Sequence, residues 1–299
     1  MSITAEVVRK LREETGAGMM ECKNALVEAK GEMEEARQIL RKKGLAAAAK
    51  KASRTAADGA TAAYVDAEGR VGVLVEVNCE TDFVAKTAEF QGMVKDIAEH
   101  VAQGAPASLE ALLQQPFCKD PKLTVGQLVQ ERIAVIKENI VLRRFARFAQ
   151  GAGQAGLVAS YIHPGAKVGV LVELAAPSAE VAGSPEFRAL AKDLSMHVAA
   201  ASPAAALYVH KSEVPADVLA KEKEIYRAQA AASGKPANVV DKIAEGKLKE
   251  YYSTFCLLEQ AFIKDPKLSV GQLLKQGVAV RRFVRYRLGE ESAAKATAE

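Results

Sequence analysis

The pattern of apolar and polar positions divides the chain into a helical N-terminal part and a longer part that mixes strands with helices. In the first fifty residues, apolar side chains recur at helical spacing, and the segment TGAG at 15–18 and Gly31 interrupt the pattern. This pattern predicts three short helices, the first capped by Thr4.

A module of three short helices of this size resembles a ubiquitin-associated-type domain. Residues 45–58 are rich in Ala and Lys and predict a linker that is helical in part.

The longer part contains an internal duplication. Four segments recur in the same order: 70–77 as 167–174, 89–102 as 186–199, 119–128 as 264–273, and 143–148 as 281–286. Each copy predicts strand, turn, strand, helix, helix, strand, with Thr124 and Ser269 as helix caps. The sequence therefore predicts an α+β protein with a duplicated core of antiparallel sheets and helices. The predicted domains are 1–54 (module and linker), 55–150 (first core subdomain) and 151–299 (second core subdomain), the last interrupted by a helical hairpin arm at 213–260.

The first copy ends its apolar strand in a polar loop that carries an aromatic residue. Considered alone, Phe83 fits an ordinary core contact at the start of a helix. Alignment of the copies places Asp82 opposite Ala179 and Phe83 opposite Glu180. Because a ring that the framework needs would have an apolar counterpart, this asymmetry favours Phe83 as a contact residue.

Three further features differ between the copies or lie outside them. The first copy has about seven extra residues within IAVIKENI, and His163 occupies the hairpin turn where the first copy has Asp66. The arm carries an apolar stripe that two helices cannot bury against each other alone, so we expect it to dock on the core, a partner or another copy. In the N-terminal module, Met19 and Met20 suit either the core or an adaptable contact surface.

Composition describes a soluble globular protein of two or three domains. The chain has 299 residues, of which 49% are hydrophobic, and a net charge of +4, too small by itself to indicate a nucleic-acid partner. Its four cysteines are far apart, which excludes CxxC zinc sites and favours a reducing compartment. The first residues lack the apolar core of a signal peptide, and no apolar run reaches membrane-spanning length. We expect a cytoplasmic protein without a membrane partner.

The apparent chemical motifs do not lie in the structural context that their chemistry requires. GAGQAG at 151–156 fits a dinucleotide-binding pattern but lies between two predicted strands, and His100 and His197 match each other across the copies. We find no catalytic constellation or metal-ligand spacing, so we expect no catalytic residue, metal or cofactor, and no enzyme. The RRFARF and RRFVRY strands fit a single-stranded nucleic-acid surface and, at least as well, ordinary half-buried strands.

Several motifs resemble those of the elongation factor Ts family, the guanine nucleotide exchange factors for elongation factor Tu. They are TGAGMMECKNAL at 15–26, TDFVAK at 81–86, SYIH at 160–163, SGKP at 233–236 and KDPKLSVGQLL at 264–274. The resemblance implies a translation elongation factor that promotes GDP release by dislodging the magnesium ion of its partner. It assigns that task to Thr81, Asp82, Phe83 and Val84, and it assigns partner contacts to Met19, Met20, Lys23, Ile136 and His163.

The resemblance also concerns the arm. It corresponds to the dimerisation region of the family, which implies a homodimer or a heterotetramer with the partner. Two features depart from the family pattern: Lys137 stands where Gly often follows the contact Ile, and the tail after Gly289 is short for a C-terminal helical module. The competing hypotheses are an RNA-binding protein, which would bind RNA with a steep salt dependence, and a ubiquitin-type helical adaptor.

Overall fold

The computed structural model describes residues 3–234 and 236–290 and begins with the three predicted helices. These are α1 (Ala5–Thr15), α2 (Met19–Glu28) and α3 (Met33–Lys51). The Thr4 hydroxyl accepts a hydrogen bond from the Val7 amide and caps α1, and Leu11 and Leu26 lie in a hydrophobic core that belongs to this module alone. Helix α3 continues to Lys51, so half of the expected linker at 45–58 is helix, in line with a linker that is helical in part. Residues 291–299, where we expect the C-terminal helical module to be shortened or absent, lie outside the described residues.

The first core subdomain has the predicted order of elements, to which two short helices and a small hairpin are added. Its elements are β1 (Asp58–Val65), β2 (Val71–Cys79), α4 (Asp82–Ala85), α5 (Ala88–Gly104), α6 (Leu109–Gln114), β3 (Pro116–Phe117), β4 (Asp120–Thr124), α7 (Val125–Ile136) and β5 (Ile140–Ala149). Strands β1, β2 and β5 form an antiparallel sheet with β2 in the centre. Both faces of β2 are covered, since Val73, Val75 and Val77 lie in one hydrophobic core and Leu74 lies in another, and this explains its continuous apolar run.

The second core subdomain repeats this arrangement around the arm. Its elements are β6 (Gly156–Ile162), β7 (Val168–Ala175), α8 (Ala179–Gly183), α9 (Pro185–Ala200), α10 (Ala216–Ala232), α11 (Ala237–Phe255), β8 (Ala261–Phe262), β9 (Asp265–Ser269), α12 (Val270–Leu273) and β10 (Ala279–Arg287). Strand β7 is the centre of the second antiparallel sheet, between β6 and β10. The capping boxes at Thr124 and Ser269 are both present, as the sequence predicts. The extra residues of the first copy lengthen α7, whose counterpart α12 has a single turn.

The two sheets pack against each other, and each carries a long helix on its other face. Phe90 and Ile97 of α5 pack on the first sheet, and Phe187 and Leu194 of α9 pack on the second. Between the sheets lies a separate cluster of Leu74, Phe148, Val158, Leu171 and Tyr286. A Cβ atom at Gly72 would clash with Val158, and one at Gly169 would displace the end of the Leu74 side chain, so the two repeated glycines favour the close approach of the sheets.

The Arg-aromatic strands cross-link the two sheets reciprocally. The Arg144 guanidinium lies 4.2 Å from the ring centroid of Tyr286, and the Arg282 guanidinium lies 4.2 Å from that of Phe148. Each arginine also binds a buried glutamate of a central strand: the Arg144 Nε to Glu76 distance and the Arg282 Nε to Glu173 distance are both 2.6 Å. The rings are only 7% and 8% exposed, so this geometry favours half-buried strands over a base-stacking surface.

The arm is a pair of antiparallel helices whose base forms a small core of its own. Val214, Tyr251 and Cys256 are buried there, with Val218 and Leu219 packed against them. The predicted end of the arm at residue 260 is too late, because Leu257 lies in the core of the second subdomain and the side-chain amide oxygen of Gln260 lies 3.0 Å from Nε2 of His197. Further out, Ile225 remains 47% exposed.

Candidate functional site

The candidate site is a tip formed by residues 80–86, where β2 passes into the one-turn helix α4. Thr81 has extended backbone angles, and its hydroxyl accepts a hydrogen bond from the Val84 amide, which starts α4 at Asp82. Val84 is partly buried and packs against the core of the first subdomain. Phe83, on the other side of the turn, is 80% exposed. The alternative that Phe83 is a core residue is therefore wrong.

Charges around the tip form a local network. The Lys86 ammonium lies 2.6 Å from the Asp82 carboxylate, and this hydrogen bond lowers the pKa of Asp82 below its usual range. A smaller contribution to that pKa shift comes from Lys167, whose ammonium lies 3.2 Å from Asp58 on β1. Asp82 is therefore ionised at neutral pH, and its charge is partly balanced by the two lysines.

The hairpin turn that carries His163 packs beside the start of the first sheet. The Ala166 carbonyl in this turn accepts hydrogen bonds from the Thr61 amide at 2.7 Å and the Thr61 hydroxyl at 3.0 Å. His163 itself is exposed, and its Nδ1 lies 3.2 Å from the Tyr161 hydroxyl. Lys167, four residues after His163, contacts Asp58, and Asp58 pairs with Cys79 at the end of β2. The turn and the tip therefore lie on the same side of the molecule.

The end of α7 connects the core to the N-terminal module. Ile136, its last residue, is half-buried and packs against the core of the first subdomain, so only part of its side chain is available to a partner. Lys137 follows in the left-handed conformation (φ 69°), which glycine adopts at much lower cost. The Lys137 ammonium lies 2.8 Å from the Glu21 carboxylate of α2 and joins the module to this corner. The backbone of Lys137 thus adopts a conformation that is typical of glycine, and its side chain adds a contact with α2.

Helix α2 presents its other predicted contact residues to solvent. Cys22, Ala25 and Leu26 face the module core, whereas Lys23 is exposed. Met19 is 46% exposed and Met20 is 63% exposed. The core alternative for the two methionines is therefore wrong.

Glu138 and Asn139, which the sequence did not predict as site residues, hold the tip in place. The Glu138 carboxylate accepts hydrogen bonds from the amides of Glu80 and Thr81, at 3.1 and 3.0 Å, and from the Thr81 hydroxyl at 2.6 Å. In return, the Glu80 carboxylate accepts a hydrogen bond from the Asn139 amide at 2.7 Å. Glu138 lies in the segment of the first copy that has additional residues, and this position is the feature of the sequence that points to it.

The groups with perturbed pKa values have structural explanations. His100 and His197 are buried, and each ring accepts a hydrogen bond at Nδ1 from a backbone amide and contacts a glutamine oxygen at Nε2. Burial lowers the pKa of both histidines. Burial also raises the pKa of the Cys79 thiol to about 12, so this cysteine is not a nucleophile at neutral pH. These groups have the properties of framework residues.

The loop at residues 151–156 has the structural role that its context predicts. The Arg70 guanidinium donates hydrogen bonds to the carbonyls of Gly151 and Gln154, both at 2.9 Å, and Gly156 begins strand β6. Across residues 3–234 and 236–290, we find no cluster of three or more His, Cys, Asp or Glu side chains that could hold a metal ion. None of the helices in that part of the chain is long and apolar enough to cross a membrane.

Comparisons with known proteins give a consistent result. A sequence model of the family described as Elongation factor TS matches residues 80–290, from the tip to the end of the second sheet. The chain belongs to the elongation factor Ts family. It is 49% identical over 297 residues to elongation factor Ts of Trichlorobacter lovleyi, covering 97% of this chain and 94% of the relative. It is 46% identical to elongation factor Ts of Clostridium perfringens strain SM101, covering 96% and 93%, and 47% identical to that of Methylococcus capsulatus, covering 97% and 93%. The chain is thus a translation elongation factor of protein biosynthesis.

Proposed function

We propose that this protein is a guanine nucleotide exchange factor for elongation factor Tu and that its tip promotes GDP release by dislodging the magnesium ion of that partner. The observation that carries the proposal is the Phe83 ring, which is 80% exposed at the end of a central strand. Family membership supports the exchange role, and the exposed ring favours Phe83 as the residue that acts on the partner. Elongation factor Ts is the name that the relatives carry.

The exposed ring supports a binding role on energetic grounds. Burying a Phe side chain stabilises a complex by roughly 1.5 to 3 kcal/mol, an amount that the isolated protein does not gain from Phe83. Exposed apolar side chains at the centre of a contact are frequent hot spots. The ring sits on a capped turn anchored to a sheet, so little of this energy is lost in ordering the tip when it docks.

The proposed mechanism is thermodynamic coupling. Magnesium bridges the phosphates of GDP and the G protein, so displacing it weakens nucleotide binding without breaking a covalent bond. The ring and the neighbouring backbone of Thr81, Asp82 and Val84 enter the partner near the ion. Tip binding then lowers the affinity for GDP, and GDP must lower the affinity for the tip by the same factor. This mechanism requires no catalytic residue and no cofactor of the exchange factor.

The other exposed residues supply affinity for the partner. Met19, Met20 and Lys23 form an exposed contact surface on α2, and His163 contacts the partner from the hairpin turn beside the tip. Ile136 contributes the part of its side chain that the core leaves open. The arm mediates association of two copies, and the whole assembly acts in the cytoplasm, where elongation factor Tu works.

The direct test is GDP release from elongation factor Tu loaded with a fluorescent GDP analogue. An excess of unlabelled GDP is added with increasing amounts of this protein, and the loss of fluorescence is followed by stopped flow. We expect the rate to rise and then saturate with protein concentration, and the enhancement to shrink when magnesium is chelated beforehand. A release rate that does not respond to the protein at any concentration would refute the proposed function.

A further inference from the structure

A carboxylate that lies 57 residues after Thr81 in the chain clamps the tip. Glu138, which lies between α7 and β5, receives the two successive amides of Glu80 and Thr81 and the Thr81 hydroxyl. The Thr81 hydroxyl is also the cap of α4, so the same oxygen links the clamp to the turn that carries Phe83. Hydrogen bonds to an ionised acceptor are shorter and stronger than neutral ones, and three on one carboxylate fix its position closely.

The clamp also includes a hydrogen bond in the opposite direction, in which the carboxylate belongs to the tip and the amide belongs to the segment before β5. The Glu80 carboxylate accepts a hydrogen bond from the Asn139 amide and lies 3.5 Å from the Arg54 guanidinium. The Asn139 side chain donates to the Arg54 carbonyl at 2.8 Å and is almost fully buried. The segment after β2 and the segment before β5 are therefore joined in both directions and tied to the end of the N-terminal module.

The second core subdomain lacks both the ring and the means of clamping it. In the aligned copy, Pro177 replaces Glu80, and proline has no amide hydrogen to donate. Ser178 replaces Thr81 and still caps its helix, because its hydroxyl accepts a hydrogen bond from the Val181 amide. The segment that carries Glu138 is the one with about seven additional residues in the first copy. The helix cap is thus common to both copies, whereas the carboxylate clamp accompanies the exposed ring.

We propose that Glu138 is a positioning residue for exchange: it holds the backbone of the tip so that Phe83 is presented in its docking geometry. The inference rests on the proposed function of the tip. Without the clamp, the segment between Cys79 and Asp82 has two unpartnered amides and greater freedom, and the ring must be ordered when it docks. Removal of the clamp should therefore slow the step that Phe83 performs and leave binding through the contact surface of α2 unchanged.

The test combines a Glu138→Ala variant with Phe83→Ala in a double-mutant cycle of GDP release from elongation factor Tu. We expect Glu138→Ala to lower the maximal release rate about three- to tenfold, with a smaller change in the concentration that gives half the maximal rate. In the Phe83→Ala background, the same change should have little further effect, because the ring it positions is absent. Glu138→Gln, which keeps one acceptor oxygen, should recover part of the rate.

A second measurement reports the clamp without the partner. Hydrogen exchange of the isolated protein should show faster exchange of the Glu80 and Thr81 amides in Glu138→Ala, while the central amides of β7 remain protected. Asp193→Asn serves as a control, because this partly exposed carboxylate pairs with Lys264 in the second subdomain, far along the chain from the tip. It should change neither the release rate nor the exchange of the tip amides.

The outcomes separate the inference from the function on which it rests. If Phe83→Ala slows release but Glu138→Ala does not, the positioning role is refuted and the proposed function stands. Equal losses from Glu138→Ala with and without Phe83 would also refute it, because the residue would then act elsewhere. If Phe83→Ala itself leaves release unchanged, the proposed role of the tip fails and the inference fails with it. A lower melting temperature of Glu138→Ala, with unchanged release per folded molecule, would assign Glu138 a structural role only.

Discussion

Phe83 and Glu180 occupy equivalent positions on two short helices, and both side chains are exposed to solvent. Helix α4 is capped by the Thr81 hydroxyl and helix α8 by the Ser178 hydroxyl, so the local framework is the same in both copies. An exposed glutamate is ordinary, whereas a phenylalanine that is 80% exposed gains almost nothing from the fold. The fold therefore needs an exposed position here and does not need a ring.

Shortening the arm should change association more than exchange. The structure places the base of the arm in a cluster with Val214, Tyr251 and Cys256, so the deletion should spare it and remove residues 220–249 behind a short Gly/Ser linker. We expect sedimentation velocity to show altered self-association or altered stoichiometry with elongation factor Tu. The maximal rate of GDP release should stay within about twofold, because the arm has no part in the coupling at the tip.

A point variant provides a milder version of the same test. Ile225 is an exposed apolar residue of α10, so Ile225→Ser should weaken association through the arm without unfolding it. If the deletion leaves association unchanged and yet abolishes GDP release, the assignment of the arm to assembly is wrong.

Removing the N-terminal module should weaken binding of elongation factor Tu and spare the maximal exchange rate. The shortened chain should begin at residue 53, because the Arg54 carbonyl accepts the hydrogen bond of buried Asn139. The module has its own hydrophobic core and joins the rest through α7, so we expect residues 53–299 to remain folded by circular dichroism. The protein concentration for half-maximal release should rise about tenfold, since the contact area of α2 is lost.

The control for the truncation is a surface variant of the full chain. Met20→Ser should raise the half-maximal concentration without changing the melting temperature, because the side chain is 63% exposed. A truncated protein that binds fully but has lost its maximal rate would show instead that the module takes part in displacement of the ion.

Stability should decrease as the pH falls from 7 to 5. Burial lowers the pKa of His100 and His197 from the usual 6.5 in the folded state. Above that pH both states hold the two rings neutral. Below it, the unfolded chain binds protons that the folded chain does not, so the free energy of unfolding falls with pH until the folded pKa values are reached.

The measurement is the melting temperature of the wild type and of a His100→Gln, His197→Gln variant across this pH range. The variant should show a flatter dependence, because two of the groups that cause it are gone. His163→Gln is the control, since His163 is exposed, and it should follow the wild type. If both variants follow the wild type, the buried histidines do not cause the pH dependence.

The sequence predicted those features that depend on neighbouring residues or on the repeat. The capping boxes at Thr124 and Ser269 are local patterns, and the structure confirms both. The small hairpins β3–β4 and β8–β9 were missed because strands of two to five residues leave almost no periodic signal. The end of the arm was placed too late because Gln260 contacts His197, which lies 63 residues away in the chain. A local sequence pattern does not indicate a contact over that separation.

The same limit applies to the candidate site. Phe83 could be singled out because the duplication supplies an internal comparison with Glu180. The extra segment of the first copy marks the region of Glu138 but not the residue, since its partners are mostly backbone amides near Thr81 and backbone amides have no sequence signature. A long-range hydrogen bond from a carboxylate to the backbone becomes visible only when the two segments are placed in space.

The role of Phe83 is best tested with a matched pair of exposed substitutions in the two copies. Phe83→Ala removes the ring from α4, and Glu180→Ala makes a comparable change at the equivalent position of α8. The ring buries little in the isolated protein, so both variants should keep the melting temperature of the wild type. A fall of many degrees in Phe83→Ala with exchange intact per folded molecule would mean that the ring serves the core.

The decisive measurement is the maximal rate of GDP release from elongation factor Tu with saturating wild type, Phe83→Ala and Glu180→Ala, at a series of free magnesium concentrations. We expect Phe83→Ala to slow release about ten- to a hundredfold at millimolar magnesium, which corresponds to the roughly 1.5 to 3 kcal/mol of a buried Phe side chain, and Glu180→Ala to match the wild type. Chelation of magnesium should speed spontaneous release and narrow the gap between wild type and Phe83→Ala. Equal release rates for the wild type and Phe83→Ala, or a gap that does not depend on magnesium, would contradict displacement of the ion by the tip.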